Sequence, residues 1–146
     1  MNDWLFLDTS GLLCIHDQDD FRNAQAIEIF TAARFLLTFN YVLAEFVPLS
    51  QTRGKDRQET ISFINDLLEI LCLKLIWVDE NLHNQAMELL ANRLDKNYSL
   101  CDAVSFVLMQ TRGLTEALTT DKHFKQEGFI KLLSTRPNIL RYKETV

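Results

Sequence analysis

The sequence predicts an α/β domain: a mostly parallel sheet of about five strands with helices on both faces. Three observations carry that prediction. Short apolar runs alternate with stretches whose apolar residues recur every three or four positions, and such alternation requires crossover connections between parallel strands. Glycine and proline number only 4 and 2 in 146 residues, too few for the turns of an all-β fold or for a disordered chain. The hydrophobic share of 47% and charged share of 24% are those of a globular chain. The length suits one domain, taken as residues 1–146.

Trp4-Leu5-Phe6-Leu7 is the first strand, an apolar run closed by Asp8-Thr9-Ser10-Gly11. A helix starts within or just after that turn and takes in Leu12, Leu13 and Ile15. His16 to Asp20 is a polar connection. Ala24, Ile27, Phe30 and Ala33 mark a helix over roughly 21–33. Phe35-Leu36-Leu37-Thr38 reads as the second strand, and Tyr41 to Gln51 as a helix that Pro48 should kink or shorten. Arg53 to Arg57 is a charged link. Ile61, Ile64, Leu68 and Leu71 mark the next helix, and Lys74 to Val78 a third strand. Ala86, Leu89, Leu90 and Leu94 mark another helix. Ser99 opens a helix with Ala103, Phe106 and Val107 on one side. Glu116 to Thr119 is the fourth strand, Asp121 to Gln126 a short helix stopped near Gly128, and Ile130 to Leu133 a weak fifth strand. The last residues, with Arg136, Pro137, Arg141 and Lys143, read as a loose basic tail.

Fifteen basic and twenty acidic residues give a net charge of −5, which excludes a general positive coat for nucleic acid. The charge is uneven: 8 basic and 16 acidic groups up to residue 102 give −8, and 7 and 4 beyond it give +3. Cys14, Cys72 and Cys101 form no CxxC pair, so neither a zinc site nor a disulfide framework is expected. No basic segment precedes an apolar one at the N-terminus, so no signal peptide is read there. No apolar run approaches the roughly 18 residues of a membrane span. The expected location is the reducing cytoplasm.

The informative feature is where acidic residues interrupt apolar sequence. Asp8 directly follows the first strand, and Asp121 follows Ala117-Leu118-Thr119-Thr120 in the same way. Open α/β sheets bind ligands at the carboxyl ends of their strands. Glu45 lies inside Tyr41-Val42-Leu43-Ala44-Glu45-Phe46-Val47, and Asp102 lies one turn into the helix that Ser99 opens. Each has a plainer reading. Asp8 and Asp121 are favoured helix caps, and Ser99 with Asp102 approximates a capping box. Glu45 has a solvent strip, or a pair with Arg53 or Arg57, as its plain reading. Taken together, four carboxylates at one sheet edge could not all ionise unaided. Divalent ions with oxygen ligands resolve the repulsion, and two of them about 4 Å apart can drive phosphodiester hydrolysis.

The ordered set Leu5-Phe6-Leu7-Asp8-Thr9-Ser10-Gly11-Leu12-Leu13, Leu43-Ala44-Glu45-Phe46, Ser99-Leu100-Cys101-Asp102-Ala103 and Leu118-Thr119-Thr120-Asp121-Lys122-His123-Phe124 resembles the PIN-domain ribonucleases, most of all the VapC-type toxins of toxin–antitoxin pairs. The resemblance spans almost the whole chain. It implies a three-layer α/β/α domain and metal-dependent cleavage of RNA with Mg²⁺ or Mn²⁺. It assigns Asp8, Glu45, Asp102 and Asp121 to the acidic quartet, and Thr9, Ser10 and Thr119 or Thr120 to small hydroxyl positions. It implies products with a 5′-phosphate and a 3′-hydroxyl, frequent homodimers and an antitoxin that occupies a groove beside the site. Exposed apolar residues on the helices around 41–71 are the candidate dimer face.

RNA contacts on so acidic a chain must be local. Arg53, Lys55 and Arg57, and Lys122 and Lys125 beside Asp121, are the candidates, with ordinary solvated charge as the alternative. His123 reads as a surface helix residue, and His16 and His83 have no second ligand at metal spacing. The phenylalanines follow core periodicity. Two other functions compete. One is a catalytically idle PIN-like RNA- or protein-binding module. The other is a phosphatase resembling the haloacid dehalogenases, which would want a second aspartate where Ser10 stands.

Overall fold

The computed structural model describes residues 3–135; the expected basic tail lies outside them. The elements are β1 (Trp4–Leu7), α1 (Thr9–His16), α2 (Asn23–Ala32), β2 (Phe35–Phe39), α3 (Asn40–Thr52), α4 (Arg57–Leu68), β3 (Leu73–Ile76), α5 (Glu80–Ala91), α6 (Leu100–Arg112), β4 (Glu116–Leu118), α7 (Lys122–Gln126) and β5 (Ile130–Lys131). The five strands form one sheet in the order β3-β2-β1-β4-β5, and every pairing is parallel.

That order contains a reversal. From β1 the chain winds outward through β2 and β3, then returns to β1's other side with β4 and β5. Successive crossovers therefore leave in opposite directions from the gap between β1 and β4, and such a gap opens a crevice at the strands' carboxyl ends. Leu7 pairs with Leu118 there, so the residues that follow each strand, Asp8 and Thr119 to Asp121, leave the sheet side by side. The close approach has a backbone requirement. A Cβ on Gly11 would lie 2.0 Å from the Leu118 carbonyl oxygen, so only glycine lets α1 start against β4.

Two groups of helices cover the sheet. α1 packs on α2 and α3, and α3 on α4; α5 packs on α6. The layers enclose Phe6, Phe39, Phe46, Phe106 and Phe124, all fully buried. α6 is buried from Cys101 to Met109, which explains why its sequence there is apolar but for Asp102 and Ser105. Pro48 sits inside α3 without ending it. Several boundaries differ from the sequence reading: β3 runs Leu73–Ile76 rather than Lys74 to Val78, and β4 and β5 stop at Leu118 and Lys131. Leu71 and Leu94 extend the apolar stripes of α4 and α5, yet both lie beyond the helix ends and are almost wholly exposed. Within α4 the inward residues are Thr60 and Leu67, while Ile61 and Leu68 face outward.

Candidate metal and catalytic site

Asp8 is the residue before α1, but its side chain makes no cap hydrogen bond. Its Oδ2 accepts instead from the Thr119 hydroxyl at 2.7 Å and the Ser10 hydroxyl at 3.0 Å. The plain capping role is thereby excluded, and the carboxylate is tied across the β1–β4 gap. Thr119 Oγ1 also receives the Asp121 amide at 3.0 Å, and Ser10 Oγ the Thr120 amide at 3.0 Å. Of the two threonines at this strand end, Thr119 brings its hydroxyl to Asp8, whereas Thr120 enters these bonds through its backbone amide.

Asp102 and Asp121 do serve as caps, and they also meet. Ser99 and Asp102 form a reciprocal capping box at the start of α6, and Asp121 Oδ1 accepts the His123 amide at the start of α7. His123 Nδ1 then lies 2.9 Å from Asp102 Oδ2 and 3.3 Å from Asp121 Oδ1. The expectation of a surface histidine is corrected here. The ring is largely covered and stands edge-on to Tyr98, with centroids 5.2 Å apart.

Glu45 reaches this edge from the second turn of α3. Its Oε1 accepts the Thr9 hydroxyl at 2.8 Å, so it pairs with neither Arg53 nor Arg57. It also borders Cys101, whose thiol is pushed up first by burial and then by the charges of Glu45 and Asp8. The four carboxylates thus converge on the starts of α1, α6 and α7 and the flank of α3.

Their electrostatics are those of a crowded anionic site. Burial raises the Asp8 carboxyl from 3.8 to about 7; the charges of Asp102 and Asp121 add to the rise, and the Thr119 and Ser10 hydrogen bonds oppose it. Asp102 is raised too, by burial first and by Asp121 in addition, against the pull of the Ser99 amide and His123. Among the described residues, His123 is the one basic side chain ion-paired to any of the four. One ligand atom each from Asp102, Asp121 and His123 lie within 4.8 Å of one another. A donor set of carboxylate oxygens, short of cations, fits a divalent ion such as Mg²⁺ or Mn²⁺.

The expected RNA contacts divide. Arg53 is bonded to Asp20 at 2.9 Å and Asp17 at 3.2 Å, and Lys55 lies 3.6 Å from Asp17. Both follow α3, whose thirteen residues extend about 20 Å from the carboxyl edge of the sheet. They brace the α1–α2 connection there, and Arg22 closes the same network on Asp20. Arg57 opens α4, while Lys122 and Lys125 are exposed on α7 beside Asp121. His83 bonds the Tyr41 hydroxyl at 2.9 Å, and His16 stacks on Phe63 with centroids 4.6 Å apart. Phe21 departs from the core expectation: it is half-exposed under Arg22.

No protein-family model matches the chain. It is 27% identical over 129 residues, 88% of its length, to VapC20 of Mycobacterium tuberculosis, a 23S rRNA-specific endonuclease, and covers 97% of that protein. The crystal structure of Mycobacterium tuberculosis VapC20, described as a sarcin-ricin loop cleaving toxin, superposes with a TM-score of 0.79 at 26% identity, over 87% of this chain and 97% of that one. No helix among the described residues is long and apolar enough to cross a membrane. In both sequence and fold the chain is thus similar to a ribonuclease of the VapC type.

Proposed function

We propose that this chain is a metal-dependent endoribonuclease toxin that hydrolyses RNA phosphodiesters at the β1–β4 crevice, with ribosomal RNA as its substrate. The observation that carries the reading is the convergence of three buried or half-buried aspartates at a topological switch point with, among the described residues, no ion-paired basic side chain but His123. The likeness to a 23S rRNA endonuclease over most of both chains supports the substrate.

In this reading Asp8, Asp102 and Asp121 hold one Mg²⁺ or Mn²⁺, and Glu45 helps hold a second ion or positions the attacking water. The bound ion supplies Lewis acidity: it makes water a competent nucleophile and offsets charge on the leaving oxygen. The remaining work belongs to the chain. Thr119 and Ser10 fix the rotamer of Asp8 through its Oδ2, and Thr9 fixes Glu45. Lys122 and Lys125 meet phosphates flanking the cut without reading sequence. Water adds at phosphorus and the 3′ oxygen leaves with a proton, giving a 5′-phosphate and a 3′-hydroxyl. No protein nucleophile takes part.

The partners follow the same reading. Leu49, Ile61 and Leu68 leave apolar area exposed on α3 and α4 for a second copy, an antitoxin protein masks the site, and the work is cytoplasmic. The test uses purified protein, Mn²⁺ or Mg²⁺ and 23S rRNA. The wild type cleaves, chelation stops it, and Asp8→Asn does not cleave. Equal cleavage by Asp8→Asn, or none by the wild type with either ion, rejects the proposal; metal binding without cleavage would mark an idle binding module instead.

A further inference from the structure

We infer that His123 is a metal ligand of this chain, so that its site is a mixed nitrogen–oxygen centre favouring first-row transition ions over Mg²⁺. The inference rests on the reading of the carboxylates as a metal site and goes beyond an all-carboxylate set. Its starting point is distance. Ligands bonded at about 2.1 Å to adjacent corners of an octahedron stand about 3 Å apart. His123 Nδ1 stands 2.9 Å from Asp102 Oδ2 and 3.3 Å from Asp121 Oδ1. The imidazole nitrogen therefore already occupies a corner next to both carboxylates.

The ring is held in that place from two directions. Tyr98 packs edge-on against it, and Asp121 Oδ1 accepts the backbone amide of His123. The ligand carboxylate and the imidazole thus share one capped turn and move together. Asp102 Oδ2 takes the Ser99 amide at 3.1 Å and faces His123 Nδ1 at 2.9 Å, so a cation seated between them would replace the contact to the ring.

The chemistry sets the consequence. A neutral imidazole with its proton on Nε2 presents the Nδ1 lone pair to a metal. Mg²⁺ prefers oxygen and retained water, whereas nitrogen binding strengthens along Mn²⁺, Fe²⁺ and Co²⁺. If His123 only donated a hydrogen bond that orients the aspartates, its loss would weaken every ion alike. A ligand role separates the ions.

The experiment titrates Co²⁺ and Mg²⁺ separately by calorimetry, without RNA, into the wild type, His123→Ala and His123→Gln. Pulsed electron paramagnetic resonance of the Mn²⁺ complex then reads directly bound ¹⁴N. The wild type is expected to bind Co²⁺ more tightly than Mg²⁺ and to show nitrogen coupling. Both variants lose about tenfold or more in Co²⁺ affinity, keep Mg²⁺ affinity within about threefold, and lose the nitrogen coupling. Equal losses for both ions, unchanged Co²⁺ affinity, or a wild-type complex without nitrogen coupling overturns the inference. His123→Gln keeps a hydrogen-bond donor, and the resonance measurement needs only the wild type, so a variant that fails to fold does not remove the test. A wild type that binds neither ion rejects the underlying metal site as well, whereas binding without nitrogen coupling rejects only the histidine ligand.

Discussion

Asp8→Asn should stabilise the metal-free protein while abolishing its chemistry. The carboxyl is 6% exposed and titrates at about 7 rather than 3.8. Below about pH 4 it is protonated in both the folded and unfolded chain. Between about 4 and 7 the unfolded chain has released the proton that the folded chain still binds, so folding stability falls as pH rises through that window. Three pH units at about 1.36 kcal/mol each give an upper limit of about 4 kcal/mol lost by pH 8. Asparagine carries no charge and keeps an oxygen for Thr119, so the variant avoids this loss. At about 2–4 °C per kcal/mol for a chain of this size, the melting temperature of Asp8→Asn at pH 8 should exceed the wild type's by several degrees, up to about 16 °C. At pH 4 the difference should close. Saturating Mn²⁺ at about 100 times its dissociation constant adds about 2.7 kcal/mol to the wild type alone, shrinking or reversing the pH 8 order. Thermal melts with and without chelator at both pH values make the comparison. A metal-free Asp8→Asn that melts below the wild type at pH 8, by the same margin as at pH 4, would refute this account of the site's charge.

Other substitutions probe the frame and the substrate face. Gly11→Ala places a Cβ 2.0 Å from a backbone oxygen; it should cost about 3 kcal/mol or more, read as a large fall in melting temperature by circular dichroism. Ser99→Ala removes one half of the α6 capping box and should cost about 1 kcal/mol, seen in urea melts. The pair Lys122→Ala and Lys125→Ala should lower the salt slope of binding to single-stranded RNA by about 1.4, for two lost phosphate contacts. Arg53→Ala should leave that slope unchanged, because Arg53 is committed to Asp17 and Asp20.

The sequence made the strand ends legible, because an acidic residue straight after a buried apolar run marks the carboxyl edge of a parallel sheet whatever the strand order. Asp8 and Asp121 stand just past such strands, and the β1 range read from the sequence matches Trp4–Leu7. His123 was not found. Two residues past Asp121, it looks like any exposed position on a short helix, and only the placement of α6 beside α7 brings Asp102 to its Nδ1. The choice between Thr119 and Thr120 depends on how the chain turns as it leaves β4, a phase that sequence does not carry. Arg53 and Lys55 read as free cations because their partners lie 33 to 38 positions away, across the α1–α3 packing. Leu71 and Leu94 continued an apolar rhythm past the point where the helices stop, since periodicity has no built-in end.

Crystals soaked in Mn²⁺ and measured at the manganese absorption edge put the whole account to its sharpest trial. An anomalous peak among the carboxylates of Asp8, Asp102 and Asp121, with Glu45 facing it, is the predicted result. Full soaking with no peak in that crevice, and Asp8 still bonded only to Thr119 and Ser10, would contradict it.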